Sequence, residues 1–286
     1  MSDSIQYRRF TPADIAAAHA LTVELKWPHR AEDWQFVANI GVGFVAERDS
    51  HVIGTVFCWK YGAQTASLGM VIVSPAHQGY GIGRRLTEMA LEEIGGRATV
   101  LHATPAGRPL YEKLGFVPIG TLDQHQGAAL QPPLVPLPVR ERLRPLGVND
   151  TPRLIELASR ASGLDRSSVL PPLLDCAEGI GLDRDGELIG FALFRRFGRG
   201  RAIGPVVTPR DGDVVRAKAL IGHWLASNPG MYIRIDVPGD AGLTDWLESV
   251  GLSRVDTGLK MLRNPQHMPP ADAEFAQFGI INQAIC

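Results

Sequence analysis

The chain has 286 residues, 45% of them hydrophobic and 21% charged, and a formal net charge of −1. Its length fits two domains and its composition fits a full core, while the near-neutral balance argues against nucleic acid or an anionic membrane as partner. Three scattered cysteines (Cys58, Cys176, Cys286), the lack of any metal-ligand spacing, an opening unlike a signal peptide and no apolar run of membrane length predict a soluble cytoplasmic chain, monomer or homodimer, without a metal.

Residues Ile5 to Phe10 read as a first strand, and Thr11 or Asp14 caps a helix carrying Ile15, Ala18, Leu21 and Leu25. The next stretch, Trp27-Pro28-His29-Arg30-Ala31-Glu32-Asp33-Trp34, crowds two tryptophans, a histidine and two acids around a proline before a second helix. A hairpin follows, Gly43 to Glu47 and Val52 to Trp59, turning at Arg48 to His51. Leu68 to Val73 is an apolar strand, broken by Ser74-Pro75-Ala76-His77 and followed by Gln78-Gly79-Tyr80-Gly81-Ile82-Gly83-Arg84. From Ile82 the apolar residues Leu86, Met89, Ala90 and Ile94 recur at helical spacing, so the loop runs into a helix N-terminus. Unpaired N–H groups and the helix dipole make that a place to hold a phosphate, and glycines let the backbone come close. It is not a P-loop, because Gly83-Arg84-Arg85 lacks the Lys-Ser/Thr ending. Nor is it a dinucleotide loop, because the spacing is G-x-G-x-G and no acid lies near Ala103 and Thr104. It does satisfy Gln/Arg-x-x-Gly-x-Gly/Ala, through Gln78, Gly81 and Gly83. A further strand, Ala98 to Leu101, leads to Leu110-Tyr111-Glu112-Lys113-Leu114-Gly115-Phe116, then to a strand over Val117 to Leu122. Gln124 to Pro138 has little periodicity and ends in four prolines, and reads as a stiff linker.

The glycine loop and the LYEKLGF run, in that order, closely resemble the two signatures of the GNAT superfamily of acyl-CoA-dependent N-acyltransferases, over residues 5 to about 120. The resemblance implies acetyl-CoA as co-substrate. Val71, Ile72 and Val73 would pair with its pantetheine arm, and the amides of Gln78, Gly79, Tyr80, Gly81, Ile82, Gly83 and Arg84 would hold its diphosphate. Thr104 stands where many members carry an asparagine. Tyr111 matches the general acid that protonates the departing thiolate. No glutamate occupies the family's usual base position, which leaves His29, Asp33, Glu24, His102 or a water chain. His29 leads, because an imidazole of pKa ~6.5 suits the task. Trp27 and Asp33 fall in the region that walls the acceptor pocket.

The second half repeats the first at an offset of 136 residues: Asp14 matches Asp150, Gly54 matches Gly190 and Gly115 matches Gly251. The chain therefore resembles a tandem pair of GNAT-like domains, of α+β (α/β) class, each a mixed, mostly antiparallel sheet flanked by helices. The expected boundaries are 1–131 for the catalytic domain and 132–286 for a degenerate one, with a linker over 124–138 and a tail over 265–286. In the second copy Asp211 and Asp213 replace the glycine loop, and the tyrosine position is lost. Two carboxylates would repel a diphosphate by about 4 kcal/mol per pair at ~4 Å, more than a helix terminus returns. That copy should support the first domain or complete the acceptor pocket, where Asp236 could hold a cationic acceptor. The expected activity is acetyl transfer to the primary amine of a small molecule. The competing readings are a non-catalytic acyl-CoA sensor and a thioesterase or decarboxylase on the same fold.

Overall fold

The computed structural model describes residues 4–210 and 214–286. In the first half the elements are β1 (Gln6–Arg9), α1 (Ile15–Glu24), α2 (Ala31–Asn39), β2 (Val42–Arg48), β3 (His51–Tyr61), β4 (Thr65–Val73), α3 (Ile82–Ile94), β5 (Ala98–Ala103), α4 (Arg108–Lys113) and β6 (Val117–Ala128). The second half repeats them as β7 (Glu141–Pro145), α5 (Thr151–Ser162), α6 (Leu170–Leu174), β8 (Ala177–Arg184), β9 (Glu187–Phe197), β10 (Gly200–Pro209), α7 (Val215–Ala226), β11 (Tyr232–Pro238), α8 (Thr244–Ser249) and β12 (Ser253–Arg263), then adds β13 (Phe275–Gly279). The repeat extends to side-chain chemistry. Arg8 forks onto Asp14 with two bonds of 2.8 Å and reaches Glu47, and 136 residues later Arg144 forks onto Asp150 with the same lengths and reaches Asp183. In each half this cluster ties the first strand to the second and to the entry of the first helix.

The sheets of the two halves are one sheet, in the order β1-β2-β3-β4-β5-β12-β6-β11-β10-β9-β8-β7, with β13 paired to β10. The last strands are exchanged. The second half's β12 runs antiparallel to β5 and β6, while the first half's β6 runs antiparallel to β11. Among the described residues only β4–β5 and β10–β11 are parallel, each over three residue pairs. The largest apolar cluster spans the halves, with Trp34, Phe57 and Trp59 of the first and Leu157, Leu170, Phe191 and Phe275 of the second.

Strand β6 continues to Ala128, through residues the sequence assigned to the linker. Its polar run is unexpected in a central strand, but Asp123 and His125 are buried with partners far along the chain. Thr257 donates to Asp123 at 2.7 Å, and His125 Nδ1 lies 3.0 Å from the Leu252 carbonyl. Among the described residues no helix is long and apolar enough to cross a membrane.

Each half opens a cleft where its two parallel strands part. In the first, β4 leaves β5 after Ser67; Met70 takes a left-handed φ of 52°, and its carbonyl accepts a bond from Thr55 Oγ1 at 2.8 Å. In the second, β13 fills the gap: it pairs with β10 over Val206–Pro209, and Ile280 N donates to the Asp236 carbonyl on β11 at 2.9 Å. The chain then crosses to the first cleft, where Ser67 Oγ and Tyr61 Oη donate to the carbonyls of Ala284 and Ile285 at 3.0 and 2.9 Å.

Candidate active site

The glycine loop lies at the open end of the first cleft. Gly79 and Gly81 hold φ of 86° and 77°, and Gly81 is the N-cap of α3. No atom lies within 4 Å of where a Cβ would stand at either, so the left-handed backbone, and not crowding inside the protein, is what calls for glycine. Gln78 Nε2 closes the turn on the Val73 carbonyl at 3.0 Å, and Ile82 anchors the helix in the core. The first turn carries no acid, Arg84 pairs with Glu88, and Tyr80 projects into solvent. On β4, half-buried Val71 and Val73 alternate with buried Ile72, and no ladder joins this stretch to β5. These strand amides, with the α3 N-terminus, could hold an extended chain that ends in an anion.

Tyr111, on α4, is 8% exposed and stands edge-on to Phe116 at 5.9 Å. Burial pushes its phenol above the usual range. The hydroxyl makes no hydrogen bond among the described residues yet is not sealed off. Thr104 is exposed; its hydroxyl accepts from Gly107 N at 3.2 Å and so helps start α4.

A cavity of about 180 Å³ lies where β4 bulges. Gly69, Met70, His102 and Thr104 line one side, Trp27 and His29 a second, and Phe197, Arg234 and Asn282 to Ala284 close it from the second half. The structure thus brings Trp27, His29 and Thr104 together and leaves Asp33 and Asp236 outside. Trp34 is a core residue, donating to Thr22 at 3.3 Å. Asp33 is buried and caps α2. It takes Arg30 N at 2.9 Å, Arg30 Nη2 at 2.8 Å and Gly198 N at 3.0 Å, and these bonds outweigh burial to hold its carboxyl below the usual range. Asp236, expected to be able to hold a cationic acceptor, is a buried mid-strand acid chelated by Arg234, with bonds of 2.7 to 3.2 Å. Glu24 lies outside too, 3.4 Å from Ser74 Oγ. Asp211 and Asp213 fall outside the described residues.

The expectation of an ordinary imidazole at His29 is corrected. Burial, then Arg234, lowers its pKa to about 4, and its buried Nδ1 has no partner. His102, likewise lowered to about 4 by burial, has Nδ1 2.9 Å from the Gln283 carbonyl. Nδ1 is therefore the donor and Nε2 carries the lone pair, which makes His102 the better oriented acceptor of a proton. Both rings are neutral in the folded protein down to about pH 4, whereas an unfolded histidine binds a proton below pH ~6.5. Stability should therefore be complete above pH 6.5 and fall as pH drops toward 4, by roughly 2–3 kcal/mol per ring. Urea melts between pH 4 and 7 should show this slope and His102→Asn should flatten it; an unchanged slope in that variant would assign it elsewhere.

Arg234, Phe197, Gln124 and the tail residues were not singled out in the sequence. Their places depend on strand exchange, which leaves no local signal. Among the described residues no group of three potential ligands could hold a metal ion.

Comparison with known proteins agrees with the fold. Family models of the acetyltransferase (GNAT) domain match residues 39–118 and 154–275. The uncharacterized N-acetyltransferase YitH of Bacillus subtilis is 31% identical over 209 residues, 72% of either chain. A mycothiol acetyltransferase of Thermomonospora curvata is 34% identical over 110 residues, 36% of either chain. In fold, a provisionally described acetyltransferase from Pyrococcus horikoshii superposes with a TM-score of 0.79 at 20% identity, covering 100% of this chain and 97% of its own. A tandem GNAT protein from the clavulanic acid biosynthesis pathway gives 0.65 at 15% identity, over 91% and 98%.

Proposed function

The chain belongs to the GNAT acetyltransferase family in its tandem form, and from that premise we propose that it moves an acetyl group from acetyl-CoA to a primary amine of a small molecule, using one coenzyme site in the first half. The observation that carries this reading is the parting of β4 from β5 after Ser67, with a glycine-capped helix N-terminus beyond the end of β4 and the unpaired Tyr111 hydroxyl on α4, the helix that follows β5. GNAT enzymes use acetyl-CoA generally, and the cradle of β4 amides and the Gln78–Arg84 loop suits its diphosphate and pantetheine arm. The amine nitrogen bonds to the acyl carbon as the carbon–sulfur bond breaks. Tyr111 gives its proton to the sulfur, and a phenol of pKa ~10 or above can donate to a thiolate near 8.5 when aligned. The proton lost from nitrogen passes to His102 Nε2 or to water. His29 and His102 share a pKa lowered to about 4, so orientation decides between them: His102 Nδ1 is held by the Gln283 carbonyl while His29 Nδ1 has no partner, and His29 serves as a neutral wall.

The second cleft is closed by β13. The same reading places the enzyme in the cytoplasm, as monomer or homodimer, with neither nucleic acid nor membrane as partner, in keeping with a net charge of −1 and sparse cysteines. Thiol release from acetyl-CoA across an amine library, with a no-acceptor control, is the test. Release that depends on an amine, with calorimetric stoichiometry near one coenzyme per chain, is expected. Release without any amine would favour a thioesterase or decarboxylase, and binding without release a sensor.

A further inference from the structure

The 180 Å³ cavity does not end at the second half. A second recess of about 140 Å³ shares Pro28, Gln124, Phe197 and Arg234 with it, so Arg234 stands at the junction of the two. The residues added there are basic or neutral: Lys26, Arg199 and Arg201 join Arg234, and the recess has no carboxylate in its lining. Arg201 is paired with Glu178 and Arg234 with Asp236. Lys26 and Arg199 are exposed, with no ion pair among the described residues, so two positive charges are uncompensated. Arg234 is 9% exposed, and its guanidinium lies over Phe197 at 5.4 Å. Nε and Nη2 go to Asp236, while Nη1 makes no hydrogen bond to any described residue and is not fully buried, in a residue that lines both spaces. A buried donor with an open valence, held still by a carboxylate behind it and an aromatic ring beneath it, is how proteins fix an anion. The first cavity's lining holds one carboxylate, the exposed Asp256, whose Oδ1 accepts from Thr257 N at 2.9 Å and which pairs in register with the shared Gln124. The positive charge is gathered in the recess, which Gly69, Met70 and Thr104 at the β4 bulge do not line.

We propose that the acceptor is an amine that also carries an anionic group, a carboxylate or a phosphate, seated on Arg234 and the Lys26–Arg199 recess while its amino group points to the β4 bulge. This rests on the transferase reading and adds the acceptor's chemical class to it. A simple alkylamine or a polyamine would leave Arg234 Nη1 to water and meet a repulsive field at the recess.

The test uses matched amines with the full-length protein at saturating acetyl-CoA: β-alanine against n-propylamine, and O-phosphoethanolamine against ethanolamine. The two pairs separate carboxylate from phosphate. At least one anionic member should exceed its neutral partner in kcat/KM by about 10-fold or more, chiefly through KM. Lys26→Glu/Arg199→Glu, both at exposed positions, should lower that ratio by roughly 10-fold. Neutral partners used equally well or better, or a ratio that the charge reversal does not move, would overturn the inference. If no amine raises thiol release above the no-acceptor rate, it is the transferase reading that fails. The inference is then decided by calorimetric titration of the same four amines. Heat from an anionic member alone, lost in the reversed variant, upholds it; equal heats or none refute it.

Discussion

Tyr111→Phe should lower kcat by roughly 10²–10⁴-fold while acetyl-CoA binds almost as tightly as before, the pattern of a lost general acid. The substitution is a clean probe here. The ring packs against Phe116 in the core of the first half, and phenylalanine keeps that contact. The hydroxyl has no hydrogen bond among the described residues to forfeit, so folding should be unaffected. Because burial raises the phenol's pKa, Tyr111 stays protonated through neutral and moderately alkaline pH, and any alkaline rise in rate belongs to the acceptor amine becoming neutral. Single-turnover kinetics with calorimetry checks both halves of the expectation. Unchanged turnover would hand the proton to water or another group.

The second large effect is on folding. Removing residues 139–286 should leave a first half that does not fold as a soluble monomer. The deletion takes away β12, which lies between β5 and β6, and β11, which covers the other edge of β6. Strand β6 would lose every ladder partner, and the apolar cluster shared by the halves would lose Leu157, Leu170, Phe191 and Phe275. Unpaired strand edges and an exposed apolar face lead to aggregation. Size-exclusion chromatography with circular dichroism decides the point. A monomeric, cooperatively melting fragment would mean that β6 can pair with β5 directly.

Features written in short stretches of chain were legible in the sequence. Gly79 and Gly81 announce their left-handed turn, and Tyr111 sits in a run of seven residues that the structure keeps as one helix and its exit. The pairing of Asp236 was within reach, since residues two apart on a strand share a face and Arg234 was the natural partner. Asp33 could likewise have been read as the third residue after a helix N-cap. Other features were out of reach. Trp27 and Trp34 are the same residue type seven positions apart, yet one lines the cavity and the other fills the core. The pKa of His29 depends on Arg234, about 200 residues away in the chain. No pattern in Phe275 to Gly279 says that it will occupy the second cleft.

The exchange of strands also sets a clock on synthesis. Strand β6 leaves the ribosome about 135 residues before the end of β12, and at roughly 5–20 residues per second that is an interval of about 7–27 s. Until β11 follows, β5 has one open edge and β6 two; after it each has one until β12 arrives. Strand β6 is built for such a wait. Its central run, Asp123-Gln124-His125-Gln126-Gly127, has low β-propensity and no apolar side chain to offer a neighbouring nascent chain. The polar character that disguised it as a linker is what lets it stand unpaired until its partner strand arrives.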